Sequence, residues 1–371
     1  MKILGRLLSL LVVSVFIVSC GGDYRKLAQG EFGHATVIMD STQWDSQTAN
    51  AIRSTYGGSI ETLPQPEPRL SLEFRDFKSN EELEQLKKRK NIIIATPINS
   101  NSNVADFVRA LLSDSLEQNV RDGQSFAFPF EDRWYRDQYS VILTSTSDSA
   151  LARKIRNAEE RLAESILDKE LRRWEYEVYE RGRRVELEQD SLWDKYGWKI
   201  GIQHDWFINV DTSWTDDDHR NHFLTMRRNL PDNRRWFWIW WKEGVADISY
   251  LDKDWINAKR DSLMKVFIRG TREESYLTTE YRRQVESESF EYRGDLAYET
   301  LGTWRMTNDA MGGPFVNLTV YDDETNRLFI MEFGQFAPRY HKRRFVRQFR
   351  AMIRTFQSDS TWNKSNPMAT N

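Results

Sequence analysis

The chain has 371 residues, 39% of them hydrophobic and 13% aromatic, which is enough for a packed core and long enough for two domains. Fifty-three basic residues against 56 acidic give a net charge of −3, which excludes the overall basic footprint of a general nucleic-acid binder. Cysteine occurs once, at Cys20, so the core cannot rely on an internal disulfide.

Lys2 and Arg6 form a short positive segment, and an apolar stretch runs from there to residue 18. Its length suits the hydrophobic region of a secretory leader and falls short of a membrane span. It ends in Ile17-Val18-Ser19-Cys20, which resembles a bacterial lipobox: an aliphatic residue, a small residue, then the cysteine. Cys20 is therefore expected to be acylated, with palmitate-type chains, after residues 1–19 are removed. Several acyl chains anchor a protein stably where one does not. Residues 20–33 read as a polar tether holding the body to the membrane. Gly21 follows the cysteine and no acidic cluster succeeds it, a pattern expected of an outer-membrane lipoprotein facing the periplasm more than the cell surface.

The fold class expected is α+β in two related halves, residues 34–148 and 198–356, joined by a long charged helical connector over 149–197. In the first half, residues 34–39 read as a strand, and Asp40 and Ser41 as caps of a helix over 43–56 ended by Gly57 and Gly58. Pro64, Pro66 and Pro68 imply an extended loop. Leu70, Leu72 and Phe74 alternate at strand period, and residues 81–90 read as a short charged helix. Ile92, Ile93 and Ile94 form a continuous apolar run suited to a strand buried on both faces. Val104, Phe107, Val108, Leu111, Leu112 and Leu116 mark one helix ended by Gly123. Residues 125–130 and 139–144 read as strands, and Asp148-Ser149 as the cap of the connector, with a break at Gly182.

In the second half, residues 198–210 read as one strand or a bent pair. Residues 280–292, 298–306 and 315–321 alternate as strands. The turn at 322–326 folds 315–333 into a hairpin. The spacing predicts a last helix over 339–356 and a loose tail over 357–371. Residues 87–94 lie over 234–241 as a basic head entering an apolar strand, and Ser113-Asp114-Ser115-Leu116 over Arg260-Asp261-Ser262-Leu263 at the same offset. This alignment predicts an internal duplication of a strand–helix unit.

Three clusters are candidates for chemistry. Trp236, Trp238 and Trp240 share one face of an aromatic strand. They form either an aromatic platform for a glycan or peptide or one side of a strand buried on both faces. Asp216, His219 and His222 are so spaced that on a helix they share a metal, although Asp216-Asp217-Asp218 also reads as a helix N-terminus. No metal motif fits, and no cofactor fingerprint, P-loop or Gly-x-Ser-x-Gly elbow is present. The last helix carries Lys342, Arg343, Arg344, Arg347, Arg350 and Arg354 without an acid. It is either docked with a solvated basic face or in contact with an anionic surface or partner.

Six Asp-Ser pairs followed by an aliphatic residue or threonine, among them Asp114-Ser115-Leu116, Asp261-Ser262-Leu263 and Asp359-Ser360-Thr361, resemble the O-glycosylation acceptors of Bacteroidota. Together with the lipobox, the tryptophan strand and the basic closing helix they make the chain resemble an uncharacterised Bacteroidota lipoprotein family, a domain of unknown function. That family supplies no catalytic residues. The lipobox implies a lipid anchor in the membrane, and the aromatic strand, the basic helix and the lack of a catalytic constellation favour a non-enzymatic binding or assembly role toward an envelope protein or glycan. The alternative is a peptidoglycan- or glycan-active hydrolase. Facing carboxylates across a tryptophan-lined cleft, one with a raised pKa, would favour the enzyme, and a flat aromatic or basic patch would favour binding.

Overall fold

The computed structural model describes residues 24–179, 186–203 and 205–359. The first half contains β1 (His34–Ile38), α1 (Gln47–Gly57), β2 (Ser71–Arg75), α2 (Asn80–Leu86) and β3 (Asn91–Pro97). It continues with α3 (Asn103–Leu111), α4 (Asp114–Arg121), β4 (Ala127–Glu131), β5 (Tyr139–Ser145), α5 (Asp148–Asn157) and α6 (Glu159–Tyr179). The sheet order is β2-β1-β3-β5-β4, parallel throughout except for β4. Every residue of β3 is buried. Ile93 and Ala95 point into the layer of α1, α5 and α6, and Ile92 and Ile94 into the layer of α2, α3 and α4. The isoleucine run thus has the two-sided burial that a central parallel strand requires.

Caps decide where these helices start. Asp40 caps only a single 3-10 turn, and α1 begins later, where the Ser46 hydroxyl accepts from the Ala49 amide. The helix expected from Val104 to Gly123 is two helices. Leu112 adopts an extended backbone, and the Ser113 hydroxyl caps α4 through the Leu116 amide. Ser147, not Asp148, caps α5. The Asp148 carboxylate instead receives the Gln47 and Thr48 amides and so finishes the start of α1, a hundred residues away. Asp114 and Asp148 stand in the first turns of α4 and α5, where acids meet the positive end of the helix.

The second half follows α7 (Glu186–Tyr196) and contains β6 (Trp198–Lys199), β7 (Phe207–Asp216), β8 (His219–Leu230), β9 (Asn233–Lys242) and α8 (Lys253–Phe267). It ends with β10 (Leu277–Thr279), β11 (Glu286–Tyr292), β12 (Asp295–Met306), β13 (Gly312–Asp322), β14 (Arg327–Phe336), α9 (Arg343–Ile353) and β15 (Gln357–Ser358). Its large sheet has the order β10-β12-β13-β14-β9-β8-β7, with β11 paired to β12, and every pairing is antiparallel. The chain as a whole is α+β. The expected duplication is not what the strand orders give. β3 lies in a parallel sheet between two helical layers, whereas β9 lies between two antiparallel neighbours. A basic head followed by an apolar run is what any buried strand at the end of a polar turn looks like. The tail also begins in structure, since β15 pairs with β6. The breaks expected at Gly182 and the tail beyond Asp359 lie outside the described residues, as do Cys20 and the leader.

α8 lies on the second sheet over a buried ion pair. Arg260 donates to Glu332 through Nε at 2.5 Å and Nη2 at 2.8 Å, and both side chains have no solvent exposure. Glu332→Gln is expected to cost about 3–5 kcal/mol in urea unfolding, because it strands a buried guanidinium. Arg260→Met with Glu332→Leu, which removes both charges, is expected to cost far less. Equal losses in the two variants would count against this account.

Candidate functional site

The two halves meet through α6 and α9 and through the proline loop, residues 58–69. That loop does not lie free on the surface of its own half. Leu63, 1% exposed, belongs to the core of the second half beside Phe345 and Phe349. The Thr62 carbonyl accepts from the Thr303 hydroxyl at 2.8 Å, and the Leu63 carbonyl from Arg283 at 3.3 Å. Pro64, Pro66 and Pro68 hold the loop extended enough to reach across.

The cationic residues of α9 point at this junction. The helix has no side-chain cap of its own. Glu67, 5% exposed, supplies the missing acceptor: its carboxylate receives the Lys342 amide at 2.5 Å and the Arg343 amide at 3.0 Å. A carboxylate there answers both the orphan amides and the positive end of the helix dipole. One turn on, Arg347 donates to Glu170 at 3.2 Å and to the Arg69 carbonyl at 2.5 Å. Burial pushes the Arg347 guanidinium down to about 10, against the pull of Glu170. Glu170 also accepts from the Gly33 amide, from Asn91 at 2.9 Å and from Arg173 at 2.5 Å. Arg350 grips Glu299 of β12 at 2.5 and 3.2 Å, and Arg354 lies 3.6 Å from the same carboxylate. The expected solvated basic face is therefore corrected for all but Arg344, which stays exposed. Lys342 is 4% exposed and Arg347 9%, and Arg343, Arg347 and Arg350 are engaged by the protein itself. A cationic stripe without acids on its own helix finds its acids on other elements.

Beside this clamp a cleft of about 550 Å³ opens between the halves. Glu159, Glu160 and Glu164 of α6 line one wall. Glu286 and Glu288 of β11 line the other, and the Glu299–Arg350 pair is also exposed to the cleft. Arg69 and Arg156 lie at its rim, with Arg69 3.6 Å from Glu159. The sequence Glu286-Ser287-Glu288 puts both carboxylates on one face of the strand, because alternate residues share a face. Crowding by the cleft walls raises the pKa of the Glu286 carboxyl, Arg69 opposes this, and Glu288 adds to it. Among the described residues no aromatic side chain lines the cleft. Facing carboxylates with one raised pKa are present, then, but the tryptophan lining that would hold a sugar ring is not.

The remaining candidates fall elsewhere. Trp238 and Trp240, 0% and 1% exposed, pack under α8 in the hydrophobic layer that contains Ile256 and Met264, and Phe237, Ile239 and Trp241 fill the layer under α9. The aromatic strand is buried on both faces, so these two rings offer no platform. Trp236 is half-buried, edge-on to Trp304 at 5.1 Å. It lies opposite Gly334, where a Cβ would come within 2.5 Å of its ring.

Asp216, His219 and His222 are not on a helix. Asp217 and Asp218 have φ of 43° and 63° and form a two-residue turn between β7 and β8. On a strand, residues three apart point to opposite faces. His222 stacks on Trp241 at 4.4 Å and meets Glu243 at 3.0 Å, whereas His219 reaches the Glu243 carbonyl and Asp216 accepts from Asn221 at 2.7 Å. Burial lowers the pKa of His222 although Glu243 pulls the other way. Among the described residues no three His, Cys, Asp or Glu side chains are placed to hold a metal.

With this geometry in hand, family models divide the chain at the connector. Residues 28–179 match the domain of unknown function DUF8532, and residues 185–355 match the domain of unknown function DUF4837. The chain is thus similar to two uncharacterised families joined end to end, with the clamp and the cleft built from both. No curated protein matches it.

The residues that build the junction, Glu67, Glu170, Glu299, Glu286 and Glu288, were not singled out in the sequence. Only Pro66-Glu67-Pro68, an acid held between two prolines, and the alternation of Glu286 and Glu288 carried any signal.

Burial alone would raise the Glu299 carboxyl, but Arg350 outweighs it and holds the pKa below the ordinary 4.5. A depressed carboxylate contributes stability that is present above its unfolded pKa and lost as the pH falls through its folded pKa. Below about pH 4.5 the difference in urea midpoint between the native chain and Glu299→Gln is therefore expected to shrink, and at pH 7 the variant is expected to lose about 2 kcal/mol. A difference independent of pH would show that the Glu299 charge does not hold α9.

Proposed function

We propose that this chain is a lipid-anchored envelope protein that binds rather than catalyses, and that its cleft takes a cationic segment of a protein partner. The cleft carries the reading: it lies where two domains meet, and carboxylates outnumber arginines on its walls without an aromatic side chain to stack a sugar. Glu299 is already neutralised by Arg350, so the carboxylates left for a ligand are those of α6 and β11. The lipobox before Cys20 supports a lipid anchor, and Gly21 without a following acidic cluster supports the outer membrane, facing the periplasm. No helix among the described residues is long and apolar enough to cross a membrane.

A hydrolase is favoured by one observation, the raised pKa of Glu286 beside Glu288. The two readings part in one experiment. The acylated protein is expected to capture a stoichiometric partner from solubilised native envelopes, and Glu160→Lys with Glu288→Lys to lose it at an unchanged melting temperature. In parallel the protein is expected to leave peptidoglycan fragments intact. Cleavage abolished by Glu286→Gln would establish the hydrolase and end the binding proposal.

A further inference from the structure

The tether is not loose once it reaches Lys26. The Arg136 amide donates to the Lys26 carbonyl at 3.0 Å and the Ala28 amide to the Arg136 carbonyl at 2.9 Å. The Gln29 amide donates to the Lys88 carbonyl at 2.6 Å, and the Lys90 amide to the Gln29 carbonyl at 2.9 Å. Residues 26–29 are thus bonded in beside Arg136 and residues 88–90. Lys26 is six residue steps on from Cys20, and a fully extended chain of that length spans about 20 Å. A lipid on Cys20 therefore keeps this face of the first domain within that distance of the membrane surface.

The face has the chemistry of a membrane-apposed surface. Lys26, Lys88, Arg89 and Arg136 lie on it, and none makes an ion pair with a carboxylate among the described residues; Lys88 meets only the neutral Gln85 amide. The acids nearby are already engaged: Glu84 by Lys87, Glu131 by Lys169 and Arg172, and Asp137 by Lys90 and Arg173. The cationic surplus is thus left to solvent. Two large side chains stand out beside it, Tyr24 at 92% exposure and Leu27 at 53%. Both rest in water in the free protein, whereas tyrosine and leucine partition to the boundary between headgroups and acyl chains.

We propose that this face, centred on Lys26, Lys88, Arg89 and Arg136 with Tyr24 and Leu27 at its edge, lies flat against anionic phospholipid headgroups. A basic patch next to an acyl anchor adds electrostatic attraction to the insertion energy of the lipid, and it fixes the orientation of the body. The inference rests on the lipid-anchor reading above and adds to it a second contact that does not depend on acylation.

The acylated full chain is reconstituted in phosphatidylethanolamine–phosphatidylglycerol vesicles and treated with an amine-reactive label. Lys26 and Lys88 are expected to label at least about threefold more slowly than in detergent, and Lys253 of α8 at an unchanged rate, with the protection relieved by salt. Equal labelling of Lys26 in the two settings overturns the proposal. Intact mass read on the same sample tests the anchor separately. The second arm uses the mature chain from residue 20 with Cys20→Ala, which carries neither the apolar leader nor a lipid. It is expected to sediment with phosphatidylglycerol-containing vesicles but not with phosphatidylcholine alone, and Lys88→Glu, Arg89→Glu and Arg136→Glu together to weaken this by at least about tenfold. Sedimentation that is the same on both vesicle types, or unaffected by the charge reversal, overturns the surface proposal whether or not Cys20 is acylated.

Discussion

The contact between α9 and the first domain is the constraint on which the arrangement of the two domains depends. α9 is the most cationic helix of the chain and has no cap of its own. Left to itself it would face water with uncapped amides and close-spaced arginines that repel one another. Glu67 caps it, Glu170 takes its second turn and Glu299 its third. Two of these acids come from the first domain and one from the second, so the helix is completed only where the domains touch. The apolar side of the same helix, with Phe345, Phe349 and Met352, packs on the second sheet beside Leu63 of the proline loop. Charge fixes the register of the junction and apolar burial supplies the driving force, since buried ion pairs alone roughly break even with their desolvation.

The same geometry explains why the cleft is acidic. The junction consumes arginine on α9, while the walls beside it come from elements that carry their acids outward. Glu159 and Glu160 open α6, where acids are favoured by the helix dipole, and Glu286 and Glu288 stand on the solvent side of an edge strand. The charge that locks the domains is therefore spent inside the contact, and the charge left over lines the space next to it.

Much of the fold was legible because the signals were strong and local. The isoleucine run at 92–94, the hairpin of β13 and β14 and the apolar face of α9 follow from periodicity alone. Helix starts were misplaced at Asp40 and Asp148 because aspartate and serine are both good caps, and which one accepts depends on neighbours far away in sequence. Three consecutive aspartates, Asp216-Asp217-Asp218, suit a helix start, and on a helix His219 and His222 would share a metal with Asp216. They suit a turn with positive φ equally well, and the alternating pattern of β8 decides between them. The site was the least legible part. Glu170 is one of several acids on a charged helix, and nothing local marks it as the one that is buried. The basic stripe of α9 was visible, but a stripe does not say whether water or a second domain covers it. That depends on a loop some 275 residues earlier.

That separation also orders events in time. The chain emerges from its N-terminus, so the first domain is complete by residue 179 while the residues that cover Glu67 and Glu170 are still to be made. Until α9 arrives, Glu67 has no amides to cap and the Leu63 side chain has no core to enter. The proline loop must wait, extended and wetted, for a helix in the last tenth of the sequence. Prolines at 64, 66 and 68 keep the loop out of alternative helices and strands during that interval. The last helix made thus serves as the closing piece of the whole molecule, and a chain cut short before Arg343 would be left with the proline-loop contacts to Thr303 and Arg283 to keep its two sheets together.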